Sequence, residues 1–336
     1  MAEVNREIVL LREPEIRSLL DPASCIAAVE AAFASSATAH GRPPGVIHLD
    51  IPDHAGEIHI KAGYLEGGAV YAMKAASSFA GNPALGVPAS DGVVMVFDAK
   101  TGLPQALMLD RGYITDLRTA AAGAVAAKHL ARPAIEIVGV VGSGIQCRLQ
   151  VELLGQVRAF REVRVWGREA EHARAAVADL ERSERLPSGS RVHAVGTPEE
   201  TVLDADVVFT VTPSRRPIVR SEWLKEGSLV VAVGADAEDK RELFADVLAQ
   251  ADRVVADSVT QCRAIGEIHH AIAAGALVVS EVVELGEIVS GLQAGRRAET
   301  DRIVCDLTGL GIQDAAAASL VLERARERGV GERFAG

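Results

Sequence analysis

The chain has 336 residues, a length that predicts two domains of ordinary size and a well-buried core. Hydrophobic residues make up 49% of the chain and charged residues 24%, a balance that disfavours disordered, collagen-like and coiled-coil architectures. Asp and Glu total 46 against 35 Lys and Arg, so the net charge is −11 and the protein repels a polyanion. A nucleic acid is therefore an unfavourable partner.

Cysteine usage indicates neither a disulfide framework nor a zinc knuckle. The four cysteines lie far apart in apolar surroundings and form no C-x-x-C pair. This usage is typical of a reducing compartment. The residues are Cys25, Cys147, Cys262 and Cys305.

The sequence predicts a soluble, cytoplasmic protein. Charges of both signs lie near the N-terminus, and the apolar stretch from Ile8 to Leu11 is too short for the core of a signal peptide. The longest apolar candidate, Ala271 to Leu292, is interrupted by three glutamates and cannot span a bilayer. We therefore expect neither secretion nor a membrane partner.

The first part of the chain predicts a helix followed by a mostly antiparallel meander of strands. Apolar residues at near-helical spacing predict a helix over 14–40, with Asp21 able to accept hydrogen bonds from free amides at a helix start. An Ala-rich helix, Asp116 to Leu130, follows the strands, and Arg132-Pro133 marks a domain boundary. The predicted strands are Ile47–Ile51, Glu57–Ala62, Ala69–Ala75, Gly92–Asp98 and Gln105–Leu109.

Beyond that boundary, buried apolar strands alternate with helices, which is typical of a parallel, doubly wound sheet. The predicted fold class is α/β: a Rossmann nucleotide domain over 132–311, and an α+β domain over 1–131 completed by 312–336. We expect the last helix, Asp314 to Arg328, to pack on the N-terminal part, because one helix has no core of its own. The predicted elements are Ile135–Val141, Gln146–Val157, Glu162–Trp166, Ala170–Arg182, Arg191–Ala194, Asp206–Val211, Leu229–Val233 and Arg253–Ala256.

A glycine-rich turn follows the first strand of the predicted Rossmann domain. Gly142, Gly144 and Cys147 occupy the three positions of a G-x-G-x-x-G fingerprint, directly before a helix. Gly142 permits the tight turn, and Gly144 lets the backbone approach a pyrophosphate at the helix N-terminus, which begins with Ile145 and Gln146. Cysteine at the third position is small enough for the close contact between helix and strand. The alternative is a plain glycine turn without a ligand.

With these motifs in place, the chain resembles the ornithine cyclodeaminase/mu-crystallin family over nearly its whole length. An Arg-Thr-Ala-Ala helix directly before a Rossmann unit is specific to this pattern, and six blocks occur in family order. The blocks are Tyr71–Lys74 with Gly81–Pro83 and Gly86–Pro88; Phe97-Asp98 with Thr101-Gly102; Thr115–Ala121; Gly142–Gln146; Ala232–Asp236 with Lys240 and Glu242; and Cys305–Asp314. Further stretches look like the ectoine-utilisation branch: Leu49–Pro52, Gly112-Tyr113, Gly266–His270 and Asp306–Gly309.

The resemblance implies an activity, a cofactor and an assembly. Family members are dimers that use NAD(H) or NADP(H) and pass a hydride to or from the α-carbon of an amino acid or its imine. In that scheme the α+β domain binds the substrate and forms the dimer. Mapped by motif, Arg118 anchors the substrate carboxylate, Lys74 lies beside the carboxylate or imine, and Asp236 is the general acid/base.

General chemistry is consistent with each of these roles. The planar fork of Arg118 pairs with a carboxylate through two hydrogen bonds, and burial in an apolar strand would lower the pKa of Lys74. Asp236 follows a strand at the carboxyl edge of the sheet, where doubly wound folds bind their ligands. Alternatives stay open: Arg118 can cap or pair at a helix start, Lys74 can reach solvent from an edge strand, and Asp236 can be one of several solvated carboxylates.

The segment before the first strand of the meander departs from the family pattern. Members usually carry a further arginine there that helps to hold the carboxylate, whereas Gly45 or His48 occupies its place in this chain. Carboxylate binding is then weaker, or shared with Lys61 or Arg42.

Two residue pairs have both a functional and an ordinary interpretation. Ser90 and Asp91 stand where relatives show other polar pairs, so they recognise a substrate side chain or are turn residues. His269 and His270 lack a second ligand pair at helical spacing, and we expect no metal there. They are polar residues near a helix start.

The cofactor pocket is predicted to include residues that follow later strands. Thr212, Pro213, Thr308 and Gly309 line the nicotinamide pocket or are ordinary loop residues. At the end of the second Rossmann strand, Arg168 favours NADP(H), because a guanidinium pairs with a 2′-phosphate.

Glu169 favours the other cofactor if its side chain turns inward, since a carboxylate there accepts from the ribose hydroxyls of NAD(H). On balance, the sequence predicts NADP(H).

The sequence thus predicts an NAD(P)-dependent enzyme acting at the α-carbon of a small amino acid or cyclic imine. It does not choose among an amino-acid dehydrogenase, a cyclodeaminase and an imine reductase. The rival is a non-catalytic NADP(H)-dependent carrier of mu-crystallin type. Asp236 separates the two, because the lens-type relatives lack a carboxylate at that position.

Overall fold

A computed structural model describes residues 7–37 and 46–335 of the chain. By the density of contacts, the chain divides into two compact units. Unit 1 comprises residues 1–118 and 310–336, and unit 2 comprises residues 119–309.

The described residues form strands and helices that alternate regularly in the second half of the chain. The strands are β1 (Glu7–Arg12), β2 (Ile47–Ile51), β3 (Gly56–Tyr64), β4 (Val70–Phe79), β5 (Ser90–Asp98), β6 (Pro104–Leu109), β7 (Ile137–Val141), β8 (Glu162–Trp166), β9 (Arg191–Ala194), β10 (Val207–Thr210), β11 (Leu229–Ala232), β12 (Arg253–Ala256), β13 (Val282–Glu284), β14 (Ile303–Asp306) and β15 (Glu332–Ala335). The helices are α1 (Glu13–Leu19), α2 (Pro22–Ser36), α3 (Tyr113–Leu130), α4 (Ile145–Val157), α5 (Ala170–Glu181), α6 (Pro198–Val202), α7 (Ala245–Ala249), α8 (Val259–Cys262), α9 (Gly266–Ala273), α10 (Leu285–Val289) and α11 (Gly311–Arg328).

Unit 1 is built on one seven-stranded sheet with the order β15-β1-β6-β5-β4-β3-β2. Strands β2 to β6 form the predicted antiparallel meander, and β1 joins β6 in parallel. Helix α11 packs on β3 and β4, as expected for a last helix without a core of its own. Its approach to β3 depends on two glycines, because a Cβ on Gly63 would lie 2.1 Å from the carbonyl oxygen of Gly311.

The helix predicted over 14–40 is wrong as a single element. Two helices, α1 and α2, take its place, with a break at Leu20 and Asp21. Pro22 lacks an amide hydrogen and cannot continue α1, but it suits the first turn of α2. Asp21 caps that second helix, accepting a hydrogen bond of 2.9 Å from the Ser24 amide. The prediction for Asp21 as a helix-start acceptor is thus confirmed.

Unit 2 has one eight-stranded sheet with all pairings parallel and the order β13-β12-β14-β11-β10-β7-β8-β9. This is the predicted doubly wound α/β fold. The chain order reverses direction on either side of β7, so the loops after β7 and β10 flank the switch point where such sheets bind ligands. Apolar side chains such as Val208, Val230 and Val304 form the core on one face of the sheet.

The division between the units falls inside α3, between Arg118 and Thr119, and again between Gly309 and Leu310. The sequence places its boundaries at 131/132 and 311/312, where Arg132-Pro133 interrupts the helical pattern. The proline marks where helix α3 ends in the sequence. The contacts of α3, however, pass from one unit to the other partway along the helix, so the two boundaries differ. All four cysteines are buried free thiols. Among the described residues, no helix combines the length and apolarity needed to cross a bilayer.

Candidate active site

The glycine-rich turn of unit 2 has the backbone conformation that its sequence predicts. Gly142 has φ +126°, and a Cβ there would lie 2.8 Å from the carbonyl oxygen of Val211. Any other residue would therefore strain the turn and collide with the neighbouring loop. A Cβ built on Gly144 meets no atom within 4 Å, so the backbone at Gly144 is open to an approaching group. Helix α4 begins directly afterwards at Ile145.

A cleft of about 270 Å³ lies over this turn and is formed by the loops after β7, β8 and β10. Six residues singled out from the sequence line it: Gly142, Gly144, Arg168, Glu169, Thr212 and Pro213. Free amides at the start of α4 and the glycine backbone give the cleft the donors that a pyrophosphate requires. The residues present thus fit a dinucleotide.

Other predicted cofactor residues lie outside the cleft lining. Ile145 is half exposed, and Gln146 accepts a hydrogen bond of 3.2 Å from Gln150. Thr308 and Gly309 follow β14, where Asp257 accepts from the Thr308 hydroxyl (3.0 Å) and from the Gly309 amide (2.7 Å). Asp257 therefore holds the backbone of that loop in one conformation.

Both residues that bear on cofactor choice lie at the rim of the cleft. The side chain of Arg168 is 92% exposed and that of Glu169 is 64% exposed, and their charged atoms are 3.8 Å apart. Neither side chain is held by burial. Each is able to turn toward a ribose or away from it.

Glu242 joins two of the loops at this edge of the sheet. Its carboxylate accepts from the Thr212 amide (2.6 Å) after β10 and from the Gly234 amide (2.9 Å) after β11. The side chain is completely buried, and burial raises the pKa of Glu242 to about 7 despite these hydrogen bonds. Glu242 thereby fixes the position of Thr212, a residue of the cleft wall.

Further carboxylates lie buried behind Glu242. Glu267 accepts from the Glu242 amide (2.5 Å) and the Leu243 amide (3.1 Å), and Asp306 accepts from the Ile268 amide (2.9 Å). Burial and the neighbouring carboxylates raise the pKa of both Glu267 and Asp306 well above the ordinary range. Backbone amides, together with a threonine hydroxyl at Glu242, rather than cationic side chains, are the described donors to this group of acids.

Asp236 lies in the loop after β11 and differs from these buried acids. Its side chain is 37% exposed, and its Oδ1 lies 2.9 Å from the ammonium of Lys240. A carboxylate that is partly open to solvent can exchange a proton with a bound substrate.

Unit 1 contains a second group of polar side chains, centred on Asp314 at the start of α11. Its Oδ1 accepts from Arg118 Nε at 2.9 Å, and its Oδ2 lies 3.3 Å from the ammonium of Lys74. Arg118 Nη1 donates to Gln313 Oε1 at 2.9 Å, which leaves Nη2 as the guanidinium donor without a described partner. Lys61 stands directly opposite Lys74 in the β3–β4 ladder.

Local structure fixes each member of this cluster. Arg118 lies on α3, whose start is capped by Asp110 accepting from the Ile114 amide at 2.9 Å. Lys74 and Lys61 are central residues of paired strands and are 2% and 5% exposed. The sheet and two helix starts therefore hold three cationic side chains in an almost dry environment.

The charges of the cluster influence one another strongly. Burial and the neighbouring cations lower the pKa of Lys74 to about 7, although Asp314 opposes that shift. Burial alone would raise the pKa of Asp314, but Arg118, Lys74 and Lys61 together lower it. The alternative in which Lys74 reaches solvent from an edge strand is wrong, because β4 lies inside the sheet and the side chain is buried.

The remaining predicted substrate residues are less closely tied to the cluster. Ser90 and Asp91 begin β5 and are exposed; the Asp91 carboxylate accepts from the next amide, at Gly92, as in a turn. His48 lies on β2, where its ring stacks on that of His59. Arg42 and Gly45 lie outside the described residues.

Sequence reasoning missed Asp314, Gln313 and Glu242 as site residues, although all three belong to recognised blocks. The available signal for Asp314 was a polar pair on a helix face that is otherwise alanine-rich and predicted to be buried. His269 and His270 lie near the start of α9, as predicted, and their ring nitrogens face the carbonyl oxygens of Arg263 and Lys240.

The doubly wound sheet, the glycine turn and the cleft define a class of protein, one that binds a dinucleotide. Comparison with known proteins gives the family. The family model for the ornithine cyclodeaminase/mu-crystallin family matches residues 6–329, so the chain belongs to this family. It is an enzyme that acts on carbon–nitrogen bonds.

Three similar proteins illustrate the relationship. A protein of Sinorhizobium fredii named as an uncharacterized cyclodeaminase is 42% identical over 331 residues, covering 97% of this chain and 98% of its own. An archaeal alanine dehydrogenase, a dimer with bound NAD, superposes with a TM-score of 0.88 at 33% identity, covering 98% and 99%. The Δ1-pyrroline-2-carboxylate reductase of Thermococcus litoralis, in complex with NADH and L-proline, superposes with a TM-score of 0.90 at 29% identity, covering 96% and 99%.

Proposed function

We propose that the enzyme transfers a hydride at the α-carbon of a small α-amino acid or cyclic α-imino acid. The observation that carries this proposal is the buried cluster of Arg118, Lys74 and Asp314. A dry site with more cationic than anionic side chains binds a small anion, and the guanidinium binds a carboxylate through charge-assisted hydrogen bonds. The relatives named above for alanine and for pyrroline-2-carboxylate act on molecules that carry such a carboxylate next to the reacting carbon.

In this proposal Arg118 holds the substrate carboxylate through Nη2, while Asp314 and Gln313 fix its guanidinium plane through Nε and Nη1. Fixing the carboxylate also fixes the α-carbon, which lowers the entropy lost on reaching the transition state. Lys74 lies beside the carboxylate or the imine nitrogen. Because its pKa is lowered to about 7, it exchanges a proton near neutral pH.

Unit 2 supplies the cofactor site and the acid/base. Gly142, Gly144 and Thr212 would hold the dinucleotide, and the bound nicotinamide supplies or accepts the hydride. In the oxidative direction Asp236 takes a proton from the substrate ammonium as the α-carbon loses hydride, so that a carbon–nitrogen double bond forms. In the reductive direction it returns that proton to nitrogen.

For the cofactor, we propose a preference for NADP(H), carried by Arg168 at the rim of the cleft. The comparison structures hold NAD and NADH, so they support a nicotinamide cofactor in general. A cytoplasmic homodimer is likewise part of the proposal, and the dimeric archaeal alanine dehydrogenase supports the assembly. The ectoine-utilisation branch stays a prediction.

The experiment is a panel of small α-amino acids and cyclic imino acids, with nicotinamide absorbance and ammonia release followed together. Oxidation with ammonia release identifies an amino-acid dehydrogenase, and reduction of cyclic imines without ammonia identifies an imine reductase. Ammonia release with no net change in absorbance identifies a cyclodeaminase, in which the hydride returns to the product. Binding of cofactor and ligand without turnover across the panel would overturn the proposal in favour of a carrier.

A further inference from the structure

The hairpin of β2 and β3 places four potential metal ligands on one face. In the antiparallel ladder His48 stands opposite His59, and Asp50 stands opposite Glu57. Residues two apart in a strand point to the same face, so the two pairs form adjacent rows of one surface. This arrangement is unrelated to His269 and His270, and it arises only when β2 and β3 pair.

The ligand atoms of these side chains converge. His48 Nε2 lies 3.4 Å from Asp50 Oδ1 and 3.8 Å from Glu57 Oε2, and His59 Nε2 also lies 3.8 Å from Glu57 Oε2. One ligand atom from each of His48, Glu57 and His59 lies within 4.8 Å of the other two. A distance of 3.8 Å is too long for a hydrogen bond. It is close to the separation of about 3.4 Å between two ligands of one tetrahedral ion with bonds of about 2.1 Å.

A second observation points to a ligand at the same place. His59 is only 9% exposed, yet neither of its ring nitrogens has a hydrogen-bond partner among the described residues. A buried polar atom without a partner is costly and rare in folded proteins. The Nε2 atoms of His59 and of His48, whose rings are stacked, each lie 3.8 Å from Glu57 Oε2. An ion bound among these three atoms would satisfy His59 Nε2.

We propose that His48, Glu57 and His59 bind a divalent transition-metal ion of the Zn²⁺ type, with Asp50 or water at the open side. Two imidazoles and a carboxylate suit zinc and its neighbours in the first transition row, whereas Mg²⁺ and Ca²⁺ prefer oxygen ligands. Burial decreases from His59 to Asp50, whose side chain is 62% exposed, so the ion enters from the Asp50 side.

The ion has a structural consequence for unit 1. Strand β2 is at the edge of the sheet and pairs with β3, and its residues are mostly exposed. An ion that bridges His48 on β2 with Glu57 and His59 on β3 stabilises the pairing of this edge strand with β3. The reason is that a ligand that binds only the folded state stabilises that state. The site is independent of the proposed function.

The test uses the full chain, freed of metal with a chelator and titrated with Zn²⁺ by calorimetry. Co²⁺ provides a second probe, since its visible absorption reports tetrahedral nitrogen and oxygen ligands. We expect one ion per chain and a rise in the thermal midpoint with Zn²⁺. The His59→Ala and His48→Ala variants should each weaken binding by more than about 100-fold and lose the thermal effect. Because His48 is partly exposed, His48→Ala should fold and can be tested for Zn²⁺ binding even if His59→Ala folds poorly.

His54→Ala is the matched control, because His54 is an exposed residue of the same hairpin and belongs to no metal-ligand set among the described residues. It should bind Zn²⁺ as the wild type does. The proposal would be overturned if His48→Ala and His59→Ala both bound Zn²⁺ as tightly as the wild type. It would also be overturned if a His269→Ala/His270→Ala variant lost Zn²⁺ binding. A third contradicting result would be that the wild type, at a concentration of about 10 µM, binds no Zn²⁺ when Zn²⁺ is in 100-fold excess.

Discussion

Each unit of the molecule buries a polar cluster, and the two clusters balance charge in opposite ways. In unit 1 the carboxylate of Asp314 contacts two cations, Arg118 and Lys74, and its pKa is lowered. In unit 2 Glu242 and Glu267 accept hydrogen bonds from backbone amides, and their pKa values are raised. In the first cluster cations hold the acid in its charged form, whereas in the second burial favours the protonated form of the acids.

This difference matches the chemistry that we propose for each unit. A site in unit 1 with more cationic than anionic side chains can bind a substrate anion, and Lys74 within it exchanges a proton near neutral pH. Nearly neutral acids in unit 2 fix the loops after β10 and β11 without placing a strong negative field beside an anionic dinucleotide. Substitutions that each remove one carboxylate should therefore change stability differently in the two units.

The largest effect on stability should come from Asp314→Asn. It leaves the buried cations Arg118 and Lys74 without their carboxylate, and breaking a buried pair in this way costs about 3–5 kcal/mol. The free energy of unfolding from urea titration measures the loss, with Asp53→Asn as a control on an exposed residue of the same unit. A loss below about 1 kcal/mol, the range of surface ion pairs, would show that Asp314 does not balance this cluster.

Asp236 belongs to neither kind of cluster, and its substitution should act on rate. Asp236→Asn keeps size and polarity but cannot exchange a proton, so turnover should fall about 10²–10⁴-fold while cofactor affinity stays near wild type. Asp239→Asn, on an exposed residue of the same loop, should keep its turnover. Near-normal turnover of Asp236→Asn would remove this residue from the mechanism.

Glu242→Gln should change how stability depends on pH. Folding raises the pKa of Glu242 to about 7. The contribution of this group to the free energy of unfolding is therefore complete below pH 4.5 and is lost as the pH rises through 7. Between pH 5 and pH 7 the wild type should lose about 2 kcal/mol more stability than the variant, the part of the pKa shift that falls in this range. Urea titrations at pH 5, 6 and 7 measure it, and Glu238→Gln serves as an exposed control. Parallel pH profiles for wild type and Glu242→Gln would mean that Glu242 is charged in the folded protein.

The smallest effect concerns the exposed rim of the cleft. Arg168→Ala should weaken the binding of NADPH but not that of NADH, by roughly 1.5–3 kcal/mol, because a hydrogen bond between charged groups is lost. Fluorescence titrations with NADPH and NADH at low ionic strength test this, with Arg174→Ala as an exposed control on α5. Equal losses for both cofactors, or a wild type that prefers NADH, would assign the ribose contact to Glu169.

The parts of the site that the sequence predicts are those made by neighbours along the chain. Gly142, Gly144 and the loop after β10 follow from local strand, turn and helix signals, and the structure places them in one cleft. The antiparallel meander likewise follows from short alternating runs.

The parts that the sequence does not predict depend on contacts between distant residues. Arg118 and Asp314 are 196 positions apart, and a pattern of residue types does not show that α11 returns to contact α3 and β4. His48 and His59 meet only in the register of one hairpin. The burial that gives Glu242 a pKa of about 7 is also a property of the packed sheet.

The measurement that tests the central claim most directly compares the best substrate of the panel with its counterpart that lacks the carboxylate. We predict that wild type has kcat/KM at least about 10³-fold higher for the carboxylate, because Arg118 binds it in a buried cationic site. Arg118→Lys, which replaces the fork by a point charge, should lose much of that difference through a higher KM. Equal kcat/KM for the two compounds in wild type would contradict the account.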